Sequence, residues 1–333
     1  MNAEALRAAL DRHPRTALVA GPTPLISTPR LRGTLGPETP ELWMKLDEET
    51  GFGLGGNKVR KLEHELAPAR LDGVTHLITT GGPQSNHARV TAAAAARLGV
   101  GCILVVNGDL PDPPTGNSLL QHMLGAKFRL VSSRGEREAA MKEEAARIAD
   151  AGGKALIIPL GASTSLGALG YVRAALELHG QIDTSRDRDV HIMLASSSGG
   201  TLAGLIAGFA LLERPDVHLM AINSDTPRDD LLEKAGELAA GAVERLGEDP
   251  RVLESMLSRT DASDRQVGDG YGIPTPASNE AAQLLARSEG ILVDPVYTAK
   301  AAAGMIDAIR AGQFLAGDRI IFLHTGGHPA LFA

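Results

Sequence analysis

Lys58 follows two glycines and opens a run that reads as a helix, in the stretch Gly55-Gly56-Asn57-Lys58-Val59-Arg60-Lys61-Leu62-Glu63. The glycines allow a turn with positive φ, and Asn57 is a suitable N-cap. Leu62, Leu66 and Leu71 recur at helical spacing, which predicts a helix over 57–72. A cation in the first turn meets the positive end of the helix dipole, so the charged form of Lys58 is disfavoured. An amine with a reason to lose its proton is what a nucleophilic or Schiff-base lysine needs. The plainer alternative, on this segment alone, is a surface lysine with its head in water.

Further segments shift that balance. Gly81-Gly82-Pro83-Gln84-Ser85-Asn86-His87 offers a hydroxyl, an amide and an imidazole where a helix begins, a seat for a carboxylate or phenolate oxygen. Helix capping by Ser85 or Asn86 explains one of these polar residues and leaves the others. Ala195-Ser196-Ser197-Ser198-Gly199-Gly200-Thr201 joins an apolar run to a predicted helix, and its small residues permit a nest of backbone N–H groups for a phosphate held without lysine or arginine. A tight turn with no ligand is the competing explanation. Neither G-x-x-x-x-G-K-[ST] nor G-x-G-x-x-G occurs, which argues against a nucleoside triphosphate and a dinucleotide. Tyr271 and Tyr297, two of only three tyrosines, lie in Gly/Pro-bounded loops at Gly270–Pro274 and Asp294–Thr298, and the chain ends on His324-Thr325-Gly326-Gly327-His328-Pro329. Each tyrosine either faces a ligand or plugs a domain edge.

No metal is expected: His87, His324 and His328 are the histidines near these loops, with a single cysteine in the chain, and zinc needs three or four converging ligands. No G-x-S-x-G elbow supports a hydrolase. An activated lysine, a phosphate nest and carboxylate donors together describe a pyridoxal phosphate site.

The elements that must position these loops follow an alternation of strands and helices. Predicted strands at 42–46, 76–80, 101–106, 127–131, 155–158, 190–195, 218–222, 291–293 and 319–323 alternate with helices at 57–72, 87–98, 116–124, 134–151, 165–180, 201–212, 227–246, 278–289 and 298–310. Such alternation implies α/β architecture with parallel sheets covered on both faces, and ligands at the carboxyl ends of the strands. At 333 residues, about two domains are expected. A net charge of −7 without a Lys/Arg run gives no footprint for nucleic acid or an anionic membrane. No run is apolar for the ~18 residues of a membrane helix. The N-terminal amphipathic helix over 1–13 lacks a signal-peptide core. Cys102, without a disulfide partner, fits a reducing cytoplasm.

The segments Gly55–Glu63, Gln84–His87, Ser198–Thr201, Tyr271–Pro274, Asp294–Tyr297 and His324–Gly327, in that order, resemble the D-cysteine desulfhydrase and 1-aminocyclopropane-1-carboxylate deaminase family over nearly the whole chain. The resemblance implies two open parallel sheets in the tryptophan synthase β-like fold, type II among pyridoxal phosphate enzymes, and a homodimer. Residues 1–52 plus 164–333 would form the large domain and 53–163 a small inserted one. It further implies that Lys58 carries the cofactor and acts as base, and that Asn86 bonds the phenolic oxygen. Ser85 and His87 would face the substrate carboxylate. Ser198, Gly199, Gly200 and Thr201 would cradle the phosphate, with Tyr271 and Tyr297 on the substrate side and Thr325 against the pyridine nitrogen. Ser197 departs from the glycine the family often carries. Ring-opening deaminases typically carry glutamate after the second tyrosine and no threonine in the last loop; Thr298 and Thr325 here point instead to β-elimination. D-Cysteine is the expected substrate, with L-cysteate sulfo-lyase or ring-opening deaminase activity as alternatives. A catalytically silent amino-acid-binding protein on the same scaffold is the reading from another class.

Overall fold

The computed structural model of the protein describes residues 1–182 and 188–333. Its strands are β1 (Leu25–Ser27), β2 (Glu41–Leu46), β3 (His76–Gly81), β4 (Gly101–Asn107), β5 (Lys127–Val131), β6 (Ala155–Ile157), β7 (Val190–Ser196), β8 (Val217–Asn223), β9 (Thr260–Ser263) and β10 (Arg319–His324). They form two sheets, ordered β1-β2-β10-β7-β8-β9 and β5-β4-β3-β6. Among the described residues only the β1–β2 pair is antiparallel.

Strands buried on both faces must carry apolar side chains in both directions, and β7 does so. Val190, Ile192 and Leu194 enter one core cluster, whereas Met193 and Ala195 enter the cluster on the opposite face. In the smaller sheet Cys102, Leu104 and Val106 of β4 face one cluster, and Ile103 and Val105 the other. Helix Gly200–Leu211 is apolar nearly all round because it is enclosed between the sheet and helix Ser165–Gln181.

Register determines where the loops emerge. Leu323 of β10 pairs with Leu194 of β7, and His324 pairs with Leu46 of β2. The three adjacent strand ends therefore deliver the turn before Lys58, the serine loop and the Thr325 segment side by side. On the smaller sheet Gly81 of β3 pairs with Val106 of β4, so the 81–87 loop leaves from the same kind of edge. This distribution of strands supports a proposed small lobe over 53–163, although Leu18 also packs in its core.

Most predicted elements appear with ends shifted by a few residues; three expectations do not hold. The helix expected over 57–72 splits into Lys58–Glu65 and Pro68–Leu71, because Pro68 has no N–H to continue the ladder and starts a new turn. Asn57 does not cap the first of these: its backbone is already helical, and its side chain is used elsewhere. Residues 291–293 form no strand; the Leu292 carbonyl instead accepts from the rings of His324 and His328 at 2.8 and 2.9 Å. β9, with the polar sequence Thr260-Asp261-Ala262-Ser263, was not anticipated.

Candidate active site

The turn before Lys58 is held from both sides. Gly55 and Gly56 have φ of 67° and 105°. A Cβ on Gly55 would lie 1.6 Å from the Glu48 carbonyl oxygen, and one on Gly56 3.0 Å from that of Thr325. The Asn57 N–H donates to the same Thr325 carbonyl at 3.0 Å. Asn57 then reaches forward: its Nδ2 donates to Thr201 Oγ1 at 3.0 Å, and its Oδ1 accepts from Lys58 Nζ at 3.1 Å. Desolvation pulls the Lys58 amine down to about 8, against the opposing charge of Asp294. Among the described residues no carboxylate pairs with it directly.

Beneath this helix lies a charged network that the sequence did not reveal. Arg60 donates to both Asp47 oxygens at 3.0 and 2.9 Å and to Glu177 at 2.9 Å; Lys45 pairs with Glu177, and the Tyr171 hydroxyl donates to Asp47. Burial alone would raise the Asp47 carboxyl, but the Arg60 charge and hydrogen bonds outweigh it and hold it low. Two cations balance two anions, and the helix bearing Lys58 is thereby fixed on helix Ser165–Gln181. Removing one member of such a buried set costs about 3–5 kcal/mol.

On the smaller sheet, Ser85 caps helix Asn86–Leu98, accepting from the Ala88 N–H at 3.2 Å while its hydroxyl proton remains available to the cavity. Asn86 Oδ1 accepts from Asn117 Nδ2 at 2.9 Å, which leaves the Asn86 Nδ2 donors to face the cavity. Asn117 also bonds the Gln84 carbonyl and receives the Gln84 side chain on its own N–H, and Gln121 donates to the Ser85 carbonyl. His87 lines the cavity but departs from the donor role expected of it. Thr79 Oγ1 donates to the Ile158 carbonyl at 2.7 Å, so His87 Nε2, 2.8 Å from that hydroxyl, must carry the proton. Its Nδ1 has no partner, and burial, then Lys58 and Lys61, hold the ring neutral. The buried Nδ1 therefore carries no proton to donate.

On the larger sheet, β7 ends at Ser196 and helix Gly200–Leu211 begins after Gly199, whose φ is 79° and which provides no side-chain cap. The first N–H groups of that helix are thus free for an anion. Gly200 does not line the cavity; it lies behind the loop, where a Cβ would meet Ser163 Oγ at 2.7 Å and Ser163 Cα at 2.9 Å. Ser197 Oγ donates to Asp225 at 2.5 Å, and both residues line the cavity. Ser198 and Ser163 hydroxyls lie 2.7 Å apart, and Lys61 Nζ donates to Ser163 at 3.0 Å. A lysine therefore stands one hydroxyl behind a loop expected to work without one. Lys61 is 1% exposed, and burial, then Lys58, pulls its pKa well down. An amine so placed, with no carboxylate pairing with it among the described residues, fits a phosphate in the nest. Its position three residues after Lys58 on one helix was the available signal.

Tyr271 and Tyr297 meet hydroxyl to hydroxyl with rings 5.8 Å apart, and burial raises the pKa of both. Thr325 places its side chain at the cavity wall, whereas Thr298 turns away and donates to Asp294 at 2.6 Å. Lys58, Ser85, Asn86, His87, Ser198, Gly199, Thr201, Tyr271, Tyr297 and Thr325 all line one cavity of about 840 Å³. Glu48, His324 and His328 also converge, and burial raises Glu48 to about 8 and lowers His324 to about 4, so for both it favours the neutral form.

The family model described as "Pyridoxal-phosphate dependent enzyme" matches residues 16–326. The chain belongs to that family. It is 38% identical to the D-cysteine desulfhydrases of Salmonella newport (strain SL254) and Salmonella typhi, over 97% of this chain and of each relative. The solved structure of an ACC deaminase homologue covers 98% of the chain, which covers 96% of it in turn, with 34% identity and a TM-score of 0.88. A pyridoxal 5'-phosphate-dependent aspartate racemase, 16% identical with a TM-score of 0.65, shares the fold. The enzyme is thus pyridoxal-phosphate dependent, with the open α/β sheets of fold type II. No helix of the described residues is long and apolar enough to cross a membrane.

Proposed function

We propose that the protein is a lyase that eliminates the β-substituent of an amino acid, taking D-cysteine and water to pyruvate, ammonia and sulfide. The observation that carries this reading is Lys58, an amine lowered to about 8 at the floor of a cavity that also holds an uncapped helix terminus and a protonated tyrosine pair. Pyridoxal phosphate supplies the electron sink for charge at Cα. Lys58 is the amine that would hold it, and the same amine, once released, would take the Cα proton. Asn86, oriented by Asn117, would donate to the cofactor's phenolic oxygen, and Thr325 would offer its ring nitrogen a neutral hydroxyl. Ser198, Gly199 and Thr201, with the backbone N–H of Gly200 at the helix start, would hold the phosphate, with Lys61 behind them. Ser85 and the N–H groups of its helix seat the substrate carboxylate, with neutral His87 in the wall beside them. Tyr271 and Tyr297 line the leaving-group side and can protonate the departing sulfur.

The reading also places the enzyme in a reducing cytoplasm as a homodimer. Buried Cys102, raised to about 12, needs no oxidising compartment, and the exposed apolar side chains Met123 and Phe332 offer a surface for a second copy. Assaying pyruvate and sulfide release from D-cysteine, with borohydride fixation of the visible cofactor band to a Lys58 peptide, tests the proposal. A band fixed at Lys58 without turnover of any amino acid would favour a silent binding protein; fixation at Lys61 would overturn the assignment.

A further inference from the structure

At the end of the larger sheet away from the cavity, four side chains able to ligate a metal converge. His191 of β7 lies beside His218 of β8 in register, so both rings stand on one face of the sheet. Asp189 comes just before β7, and Asp318 just before β10, the strand on the other side of β7. The two rings stack with centroids 4.9 Å apart, and Phe314 meets His191 edge-on at 4.8 Å. His191 Nε2 lies 3.2 Å from Asp318 Oδ2, and His218 Nε2 lies 3.5 Å from Asp189 Oδ2. Ligand atoms of Asp189, His191 and Asp318 all fall within 4.8 Å of one another.

These spacings and charges suit a shared cation better than direct pairing. A charge-assisted N–H···O bond closes to about 2.7–2.9 Å, and both imidazole–carboxylate contacts are longer. Atoms bound about 2.0–2.1 Å from zinc at the tetrahedral angle stand about 3.3–3.4 Å apart, which lies between the two observed distances. Among the described residues no lysine or arginine pairs with Asp189 or Asp318; their chain neighbours Arg188 and Arg319 both go to Glu41. Burial, then His218, works against protonation of His191, although Asp318 and Asp189 favour it. The neutral imidazole is the form that ligates. Asp318 is 9% exposed and its Oδ2 also accepts from the Leu315 N–H at 2.8 Å, so its carboxylate is fixed, whereas Asp189 is 52% exposed and leaves an entry from solvent. Two imidazoles with two carboxylates select zinc and its first-row neighbours over calcium or magnesium, which take oxygen sets.

We propose that His191, His218, Asp189 and Asp318 form a site for one divalent first-row transition-metal ion, zinc foremost, that clamps β10, β7 and β8 together at the ends opposite the active site. The site is independent of the reaction proposed above, because the cavity belongs to the carboxyl ends of the same strands. Its role is structural: four protein ligands close the coordination sphere and leave no open position for a substrate. Only Asp189 and His191 are close in sequence. His218 and Asp318 arrive through the parallel register, so no metal-ligand spacing shows along the chain.

The test uses purified holoenzyme, cleared of metal by a chelator that is then removed, with zinc chloride as the probe and no thiol present. The parent should bind a single zinc per chain in calorimetry, with a Kd on the order of 10 µM or tighter. Its melting temperature should rise by roughly 3 °C or more at saturating zinc. X-ray absorption at the bound zinc should show nitrogen and oxygen donors at about 2.0–2.2 Å and no sulfur, which excludes Cys102. His191→Gln and His218→Gln should each weaken binding by about tenfold or more and remove the thermal shift, with the visible cofactor band kept. Asp189→Asn, at a half-exposed position, tests the same site should the His191 variant fail to fold. His328→Gln, in the convergence of Glu48, His324 and His328, should leave the affinity at the parent's value. Binding weaker than about 1 mM, sulfur among the donors, loss of binding in His328→Gln, or an affinity that survives both His218→Gln and Asp189→Asn overturns the site.

Discussion

The two walls of the cavity are built by different means. On the larger sheet the serine loop relies on backbone N–H groups and on small residues pressed against Ser163, with few adjustable side chains. On the smaller sheet Gln84, Asn86, Asn117 and Gln121 form a side-chain network in which each amide orients the next. Close packing suits a group that is always the same, such as a phosphate, because geometry fixed by backbone leaves little to reorganise. A side-chain network suits the face that meets changing ligands, since rotamers can adjust where backbone cannot. Lys58 stands where the walls meet, tied through Asn57 to Thr201 and Thr325.

Removing the amine at this junction should have the largest effect. Lys58→Ala is expected to lower kcat by on the order of 10³-fold or more, with circular dichroism unchanged, because the charged network that anchors its helix starts at Arg60. Retained turnover would show that neither wall serves Lys58. Next in size is a break in the packed wall. Gly200→Ala drives a Cβ to within 2.9 Å of Ser163 Cα, a contact only backbone movement can relieve. It should cost about 1–3 kcal/mol of stability and weaken cofactor binding by roughly tenfold or more, both readable by thermal melts and cofactor titration. Unchanged affinity would mean that the nest does not depend on that packing.

Breaking the adjustable wall should cost less and register differently. Asn117→Ala frees the Asn86 amide to flip and unties Gln84. Loss of one buried hydrogen-bond partner, about 1–3 kcal/mol, should appear mainly in KM and kcat with the visible cofactor band largely kept. A variant that lost cofactor with normal kinetics in its holo fraction would assign both walls to the cofactor and erase the contrast.

The two walls were not equally legible in the sequence. β7 and β10 show as apolar runs, and the serine loop between β7 and its helix shows as a composition change, because local pattern and tertiary role agree there. The segments bearing Lys58, Asn86, Tyr271 and Thr325 likewise stood out by residue type. What failed depends on partners distant in the chain. Arg60 reads as an ordinary helical charge until Asp47 and Glu177 are brought to it, and Lys61 until Ser163 is. His87 reads as a donor until Thr79 engages its protonated nitrogen. Ile291–Val293 has a strand's composition, yet the Leu292 carbonyl is taken by two imidazoles. In each case the local residue type was right and its orientation was set elsewhere.

The smallest expected effect concerns pH. The ordinary lysine amine titrates near 10.5, but desolvation in the cavity lowers Lys58 to about 8. Desolvation penalises the ammonium, so the folded apoenzyme favours the neutral amine, which is the form that can attack the cofactor's aldehyde. Between pH 7 and pH 8 the neutral fraction of such a group rises about fivefold, compared with about tenfold for an amine still far below its pKa, and the rise flattens above pH 8. The linked stability has the same sign: a lowered amine pKa makes the apoenzyme less stable as pH falls from 10.5 toward 8, with the full penalty present below 8. Rates of reconstitution of apoenzyme with pyridoxal phosphate, measured by growth of the visible band from pH 6.5 to 10, should therefore level off near 8. A rate still climbing tenfold per unit at pH 9 would show that the junction between the walls does not desolvate Lys58, and that the packed side leaves it open to water.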